Sequence, residues 1–282
     1  LFNISIANKI SKGFIRNSHD VLNFSYRDFN NKSLIKNDTT LNKKIINIAD
    51  NYRPDLILLG HNNILERQTI NQIKNKFNTR FGLWYEDHLV SGGPNYKSNL
   101  ELIEKNYDLI DKYFVTTHPD SIKTKIPKNK INYIPIPADR NIENLEIYNS
   151  NNRYKDLFFA LSHGVNYGKL KAGKKDERES FINNLINIFP NINYNILGVA
   201  NESPKWNYNF YEELIKCKMA LNLSRGLPLK YTSSNRIAAL IGNGIYTFID
   251  EKTKFKDFFN ENEVGFYKDF NDLGNKVEFF LN

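Results

Sequence analysis

Residues 220–250, ALNLSRGLPLKYTSSNRIAALIGNGIYTFID, read as a strand, a polar loop, a capped helix and a second strand. The apolar run MALNLS (219–224) ends in small polar residues, and Arg225, Gly226, Pro228 and Lys230 supply a chain break with two cations. Ser233, Ser234 and Asn235 offer N-cap oxygens ahead of the apolar run IAALI, and Gly242 and Gly244 stand where that helix should stop. In a parallel α/β sheet such a loop opens at the carboxyl edge of the strands. A helix N-terminus with guanidinium groups beside it makes a pocket there for a phosphate, and even a diphosphate is held without metal.

Working outward, the same alternation fills the chain. Strands are expected at HDVLNFSY (19–26), PDLILLG (54–60), RFGLWYED (80–87), DKYFVTT (111–117) and NYIPIP (132–137). After Pro135, Pro137 and a polar stretch from Asp139 to Arg153 the pattern restarts, with strands at KDLFFALS (155–162), INYNILG (192–198), KMALNLS (218–224), GIYTFID (244–250) and EVGFY (263–267). Helices are expected near Glu177 to Phe189, Tyr208 to Lys216, Asn235 to Ile241 and Asp269 to Leu281. Two βα sets imply two Rossmann-like lobes, residues 1–150 and 151–282, with a cleft between them. The opening residues are ambiguous, but Phe2, Ile6, Ile10 and Phe14 recur every four positions, which favours a helix over residues 2–16. The first lobe is therefore expected to lack its first strand, and both ends of the chain look trimmed.

At 282 residues, 40% apolar and 13% aromatic, the chain can bury a sizeable core, and no run approaches the roughly 20 apolar residues of a membrane span. A net charge of +8 suits an anionic partner such as phosphate, nucleic acid or an acidic membrane, though a lysine-rich soluble surface explains it equally well. The single Cys217 excludes an internal disulfide and a cysteine-cluster metal site, which fits a reducing, cytoplasmic compartment. KLKAGKK (169–175), with Lys169, Lys171, Lys174 and Lys175, lacks P-loop spacing and reads first as a solvated loop. Neither an H-E-x-x-H nor a G-x-S-x-G pattern occurs.

Of five histidines, His61, His88, His118 and His163 each follow a predicted strand, so all four are expected at the ligand edge. Asp87 and His88, on a loop that also carries Gly92 and Gly93, are the general-base candidates of the first lobe. A solvated acidic turn is the plainer account of the same pair.

The two-lobe alternation, the loop after FFALS with DERESFINNL behind it, and SRGLPLKYTSSNRIAALIGNG leading to NEVGFYKDFNDLGNKV resemble GT-B glycosyltransferases, nearest to the CgeB-like group of glycosyl transferases group 1. The resemblance covers most of the chain and is strongest from residue 156 onward. It implies a hexosyltransferase-like enzyme of polysaccharide biosynthesis that needs no cofactor or metal. The nucleotide-sugar donor would sit on the C-terminal lobe, and a glycan or lipid-linked saccharide would be the acceptor. It implies further that Arg225 and Lys230 contact the diphosphate beside the helix start Ser234-Asn235-Arg236, that His163 and Gly164 lie near sugar and phosphate, and that Gly198 and Val199 lie near the base. His61 and His118 join the substrate-binding set as strand-edge residues. One departure stands out: relatives carry R-x-F-E-A with a ribose-binding glutamate, whereas Arg236-Ile237-Ala238-Ala239 places Ala239 there.

The resemblance leaves the stereochemical course open, with a base needed only for inversion. It leaves peripheral association with the inner face of a membrane open as well. Two other readings remain: a catalytically silent GT-B-like nucleotide- or sugar-binding protein, and a basic nucleic-acid-binding module. The second is disfavoured because the aromatics fall in apolar strands and show no stacking pattern beside the lysines.

Overall fold

The computed structural model describes residues 5–26, 29, 38–60, 64–162, 175–199 and 202–282. His61, His163, Gly164, Lys169, Lys171 and Lys174 lie outside these residues. The chain is α/β and divides into two units, one made of Ile136–Asn282 with the chain up to Lys9 and Gly92–Pro94, the other of Ile10–Ser91 and Asn95–Pro135. The division falls at Pro135, ahead of the polar stretch before residue 150, because that stretch is fastened to the C-terminal unit. Ile147 N donates to the Asn243 carbonyl (2.9 Å), Leu145 N donates to Asn243 Oδ1 (3.1 Å), and the buried Glu143 Oε1 accepts from Lys9 Nζ (2.5 Å).

The N-terminal unit holds four parallel strands in the order β1-β2-β3-β4, namely Leu56–Gly60, Arg80–Tyr85, Lys112–Val115 and Ile131–Tyr133. Helices α1 (Ile6–Arg16), α2 (Asp38–Tyr52), α3 (Arg67–Phe77) and α4 (Tyr96–Glu104) accompany them. The expected opening helix is present from Ile6, and no strand precedes β1 among the described residues. The run HDVLNFSY is not a strand. After Arg16 the chain turns back through Ser18 (φ 63°), and the segment stays beside α1, with the Phe14 and His19 rings 5.6 Å apart and Asn23 Nδ2 donating to Ser11 Oγ (2.9 Å). Its alternation meets a helix instead of a neighbouring strand, so Leu22 remains 50% exposed.

The C-terminal unit holds five parallel strands in the order β6-β5-β7-β8-β9. They are Lys155–Ala160 (β5), Tyr194–Leu197 (β6), Cys217–Asn222 (β7), Tyr246–Asp250 (β8) and Gly265–Tyr267 (β9), each inside the run expected for it or within one residue of it. Helices α5 (Glu177–Ile188), α6 (Tyr208–Leu214), α7 (Arg236–Ile241) and α8 (Phe270–Leu281) connect and flank them. Central β5 shows why its run is apolar throughout. Leu157 and Phe159 pack with Ile182, Leu185 and Val277 of α5 and α8, while Phe158 and Ala160 pack on the other face with Leu214 and Leu240 of α6 and α7. A parallel strand covered on both faces has no polar side, and each such large side chain contributes about 1.5–3 kcal/mol by burial. No helix among the described residues is long and apolar enough to cross a membrane.

At the end of α6, burial opposes the charge on Glu213, but hydrogen bonds from Lys205 Nζ (2.7 Å), Lys216 Nζ (3.0 Å) and Asn195 Nδ2 (3.2 Å) prevail and hold its pKa at about 2. A folded pKa below the unfolded value of about 4.3 contributes stability that is present above the unfolded pKa and lost as pH falls through the folded one. Unfolding free energy should therefore drop by on the order of 2 kcal/mol through this group between about pH 5 and pH 2. In urea titrations across that range, Glu213→Gln should be less stable than wild type at pH 7 and show a flatter acid slope.

Candidate functional site

The C-terminal sheet reverses its winding at β5. The chain steps from β5 outward to β6, then crosses back to β7 on the other side. Such a reversal in strand order is a topological switch point, and the carboxyl ends of β5 and β7 there are where open α/β sheets form their ligand crevice. The first sheet winds in one direction only across its described strands and has no such reversal.

Beyond β7 the chain forms a small polar network. The buried Asn222 side chain donates from Nδ2 to Ser233 Oγ (2.8 Å) and accepts at Oδ1 from Ser234 Oγ (3.1 Å), and Ser234 N donates to Ser224 Oγ (3.0 Å). This corrects the expected capping. A buried amide requires partners, so the serine hydroxyls turn toward the strand end and not toward the helix. Asn235 makes no side-chain cap bond either, and Ile237 N donates to the Ser234 carbonyl (3.0 Å). Helix α7 has only six residues, so its dipole is a minor contributor.

Arg236 is the distinctive group of the crevice. Its Nη1 donates to the carbonyl of Leu223 just past β7 (3.3 Å), and its guanidinium carbon lies 5.0 Å from the Phe159 ring centroid near the end of β5. Nearby, the fully buried Asp176 caps α5 and grips Arg178 bidentately, with Nε to Oδ1 at 3.0 Å and Nη2 to Oδ2 at 2.6 Å. That carboxylate is committed to Arg178, and Arg236 has no ion-pair partner among the described residues. Burial pushes the Arg236 pKa down to about 9 and the Arg178 charge adds to the shift, with Asp176 opposing. The group stays protonated at neutral pH. A desolvated cation held by one carbonyl and one ring face is costly unless an anion completes it.

The remaining candidates fall around it unevenly. Arg225, partly exposed, makes no hydrogen bond or ion pair among the described residues, and Gly226 (φ 79°) donates its N–H to Glu177 Oε1 (2.6 Å), tying this loop to the start of α5. Lys230 is exposed, with Nζ 4.8 Å from the centroid of the Tyr231 ring, and Tyr231 donates its hydroxyl to Asp257 Oδ2 (2.7 Å). Gly198 (φ 77°) follows β6 so closely against β5 that a Cβ would stand 2.0 Å from the Leu161 carbonyl oxygen. Val199 is buried in the core beside Leu161, so its side chain is committed to packing.

In the N-terminal unit the loops after β2 and β3 are stitched together, with Thr116 N donating to the Tyr85 carbonyl (3.2 Å) and Thr116 Oγ1 to the Glu86 carbonyl (2.9 Å). Asp87, His88 and His118 thus share one sheet edge. Asp87 is exposed, while His88 is partly buried and its carbonyl accepts from Asn99 Nδ2 (2.9 Å). His118 opens the short turn Pro119–Ser121. The buried Thr117 hydroxyl at this edge finds no partner among the described residues. Nothing in the sequence singled out Thr117 or the Asp176–Arg178 pair, although DER directly ahead of an apolar run is a legible cap. No cluster of His, Cys, Asp and Glu among the described residues could hold a metal ion.

With that geometry in place, comparison is informative. Residues 178–282 match a family model described as glycosyl transferase-like. This part of the chain is similar to glycosyl transferase-like domains. The Anabaena protein Alr3699/HepE, solved in complex with UDP, is 11% identical over 86% of this chain and 72% of its own, with a TM-score of 0.51. The N-terminal domain of Candida albicans trehalose-6-phosphate phosphatase is 12% identical over 86% of this chain and 66% of its own, with a TM-score of 0.50. At these identities the shared property is the fold, which is GT-B. No curated protein matches the chain.

If Arg236 is a desolvated charge without a partner, removing it should relieve the empty protein. Arg236→Met should leave the unfolding free energy measured without ligand unchanged or raise it. A fall of more than about 1 kcal/mol would show instead that the guanidinium holds the loops together.

Proposed function

We propose that the protein is a glycosyltransferase that moves a hexosyl group from a nucleotide-sugar donor to a hydroxyl of a glycan or lipid-linked saccharide. The observation that carries this reading is the desolvated Arg236 at the switch point of the C-terminal sheet, inside the region similar to glycosyl transferase-like domains. In such a transfer the bond from the anomeric carbon to the diphosphate oxygen breaks, the acceptor oxygen bonds to that carbon, and charge grows on the leaving diphosphate. Arg236 and Arg225 would meet that charge, with Lys230 joining from the same loop and the backbone beside Ser234 and Asn235 lying close. Gly198 and Val199 would offer backbone to the base, and His163 and Gly164 would lie by the sugar. Asp87 or His88 would take the acceptor proton if the reaction inverts, with His61 and His118 positioning the acceptor. Work at the inner face of a membrane, on a lipid-linked acceptor, belongs to the same proposal.

Ala239 favours a second reading, a protein that binds the nucleotide without turnover. At the position where the resembling group carries its ribose-binding glutamate, α7 has a methyl group.

A donor panel that measures nucleoside diphosphate release and sugar transfer separates the two. The proposal expects transfer that persists in EDTA, because arginine side chains neutralise the leaving group. It expects Arg225→Ala to weaken nucleoside diphosphate binding at least about tenfold in calorimetry with the fold intact, as loss of a charge-assisted contact should. Asp87→Asn or His88→Ala should lower kcat more than donor affinity. Nucleotide binding with no transfer to any acceptor would support the silent reading. Activity abolished by EDTA and restored by Mg²⁺ would contradict the arginine mechanism.

A further inference from the structure

Tyr231 fastens the loop that leaves β7 to the loop that leaves β8. Its N–H donates to the Thr253 carbonyl (2.8 Å), its hydroxyl donates to Asp257 Oδ2 (2.7 Å), and its ring stands edge to face with the Phe258 ring, 4.7 Å between centroids. With these contacts made, the residue sits at φ 58°, in the left-handed region that a bulky side chain rarely enters. Glycine would take that conformation without strain. The position therefore carries a tyrosine against its own backbone preference, and strain of this kind persists only where the surroundings hold it.

The loop after β8 is a firm support for this fastening. It winds through two tight turns, Glu251–Thr253 and Phe255–Asp257. Asp250 Oδ1 accepts from Lys252 N (2.9 Å), Thr253 Oγ1 donates to the Asp250 carbonyl (2.6 Å), and the buried Phe255 packs with Ile249, Val264 and Phe266. Donation to Asp257 holds the Tyr231 phenol proton and raises its pKa above the ordinary value, so the hydroxyl remains a donor at neutral pH.

What the fastened ring carries is the neighbouring cation. Lys230 Nζ lies 4.8 Å from the centroid of the Tyr231 ring, and the ammonium makes no ion pair among the described residues. Its backbone is tied on the other side, where the buried Thr232 donates from Oγ1 to the Lys230 carbonyl (3.4 Å) and from N to the Leu229 carbonyl (3.0 Å). A loose lysine side chain samples many rotamers, and ordering it when a ligand arrives costs affinity. A ring face that is itself held in place keeps the ammonium over one spot beforehand. We propose that Tyr231 is a positioning residue for the donor's diphosphate, acting through Lys230: pinned to the loop after β8, its ring holds the ammonium ready for the leaving phosphate. The inference rests on the proposed glycosyl transfer, in which Lys230 meets the diphosphate.

The test titrates the protein by calorimetry with UDP, GDP and ADP and follows the tightest of the three through a set of variants. Tyr231→Phe keeps the ring and loses the bond to Asp257, so it should weaken binding about threefold, and Asp257→Ala should match it. Asp257→Asn keeps an acceptor for the hydroxyl and should stay within about twofold of wild type. Tyr231→Gly accepts the backbone conformation, removes ring and hydroxyl together, and should weaken binding at least about fivefold. In a Lys230→Ala background the same two Tyr231 changes should each shift affinity by less than about twofold, because the group they act through is gone. Losses of equal size with and without Lys230 would overturn the proposal, and so would unchanged affinity in Tyr231→Gly with only the thermal stability lowered, since either result is what a purely structural fastening gives. Wild-type protein that binds none of the three nucleotides removes the donor reading and this inference with it, whereas nucleotide binding that ignores Tyr231 removes the inference alone.

Discussion

Everything functional in the C-terminal unit depends on one strand having neighbours on both sides. β5 pairs in parallel with β6 through Leu157 to Ala160 and with β7 through Lys155 to Phe158. Parallel pairing sends every connection across a helical layer, and the chain must reverse direction to reach the second neighbour. That requirement fixes the apolar composition of the strand and the helices on both faces. It also fixes the place of the switch point, at the carboxyl ends of β5 and β7. Gly198 shows how tight the arrangement is, since no side chain fits between its turn and Leu161.

Near that switch point Arg236 and Arg178 come close to the carboxylate of Asp176. Asp176 is spent on Arg178 with both oxygens. Burying an ion pair of this quality roughly breaks even, whereas a cation drawn partly out of water with no counter-charge is a net cost. Arg236 is the cation left over, stacked on Phe159 and held by the Leu223 carbonyl. In the proposed function that charge serves a ligand's phosphate, and perturbed electrostatics at a strand edge are a common mark of function.

Much of this was legible in the sequence. The strands of the C-terminal sheet were readable because each is a short apolar run bounded by turn residues, and residues 178–282 also carry the glycosyl transferase-like match. Arg236 could be placed at the strand edge from its spacing after MALNLS. Its surroundings could not be read, since the Phe159 ring it stacks on and the Arg178 charge that helps depress its pKa are distant in sequence. The run at 19–26 misled because period-two alternation also serves an extended segment lying on a helix. The serines at 233 and 234 misled because Asn222 competes for them, and single-sequence capping rules do not see a buried amide nearby.

The central claim is that a diphosphate completes the charge of Arg236 at the switch point. The most direct measurement is a crystal structure of the protein grown with UDP. The account predicts the diphosphate within hydrogen-bond distance of the Arg236 guanidinium, above the carboxyl ends of β5 and β7. UDP bound elsewhere, with Arg236 still against Leu223 and Phe159 or paired with a protein carboxylate, would contradict it.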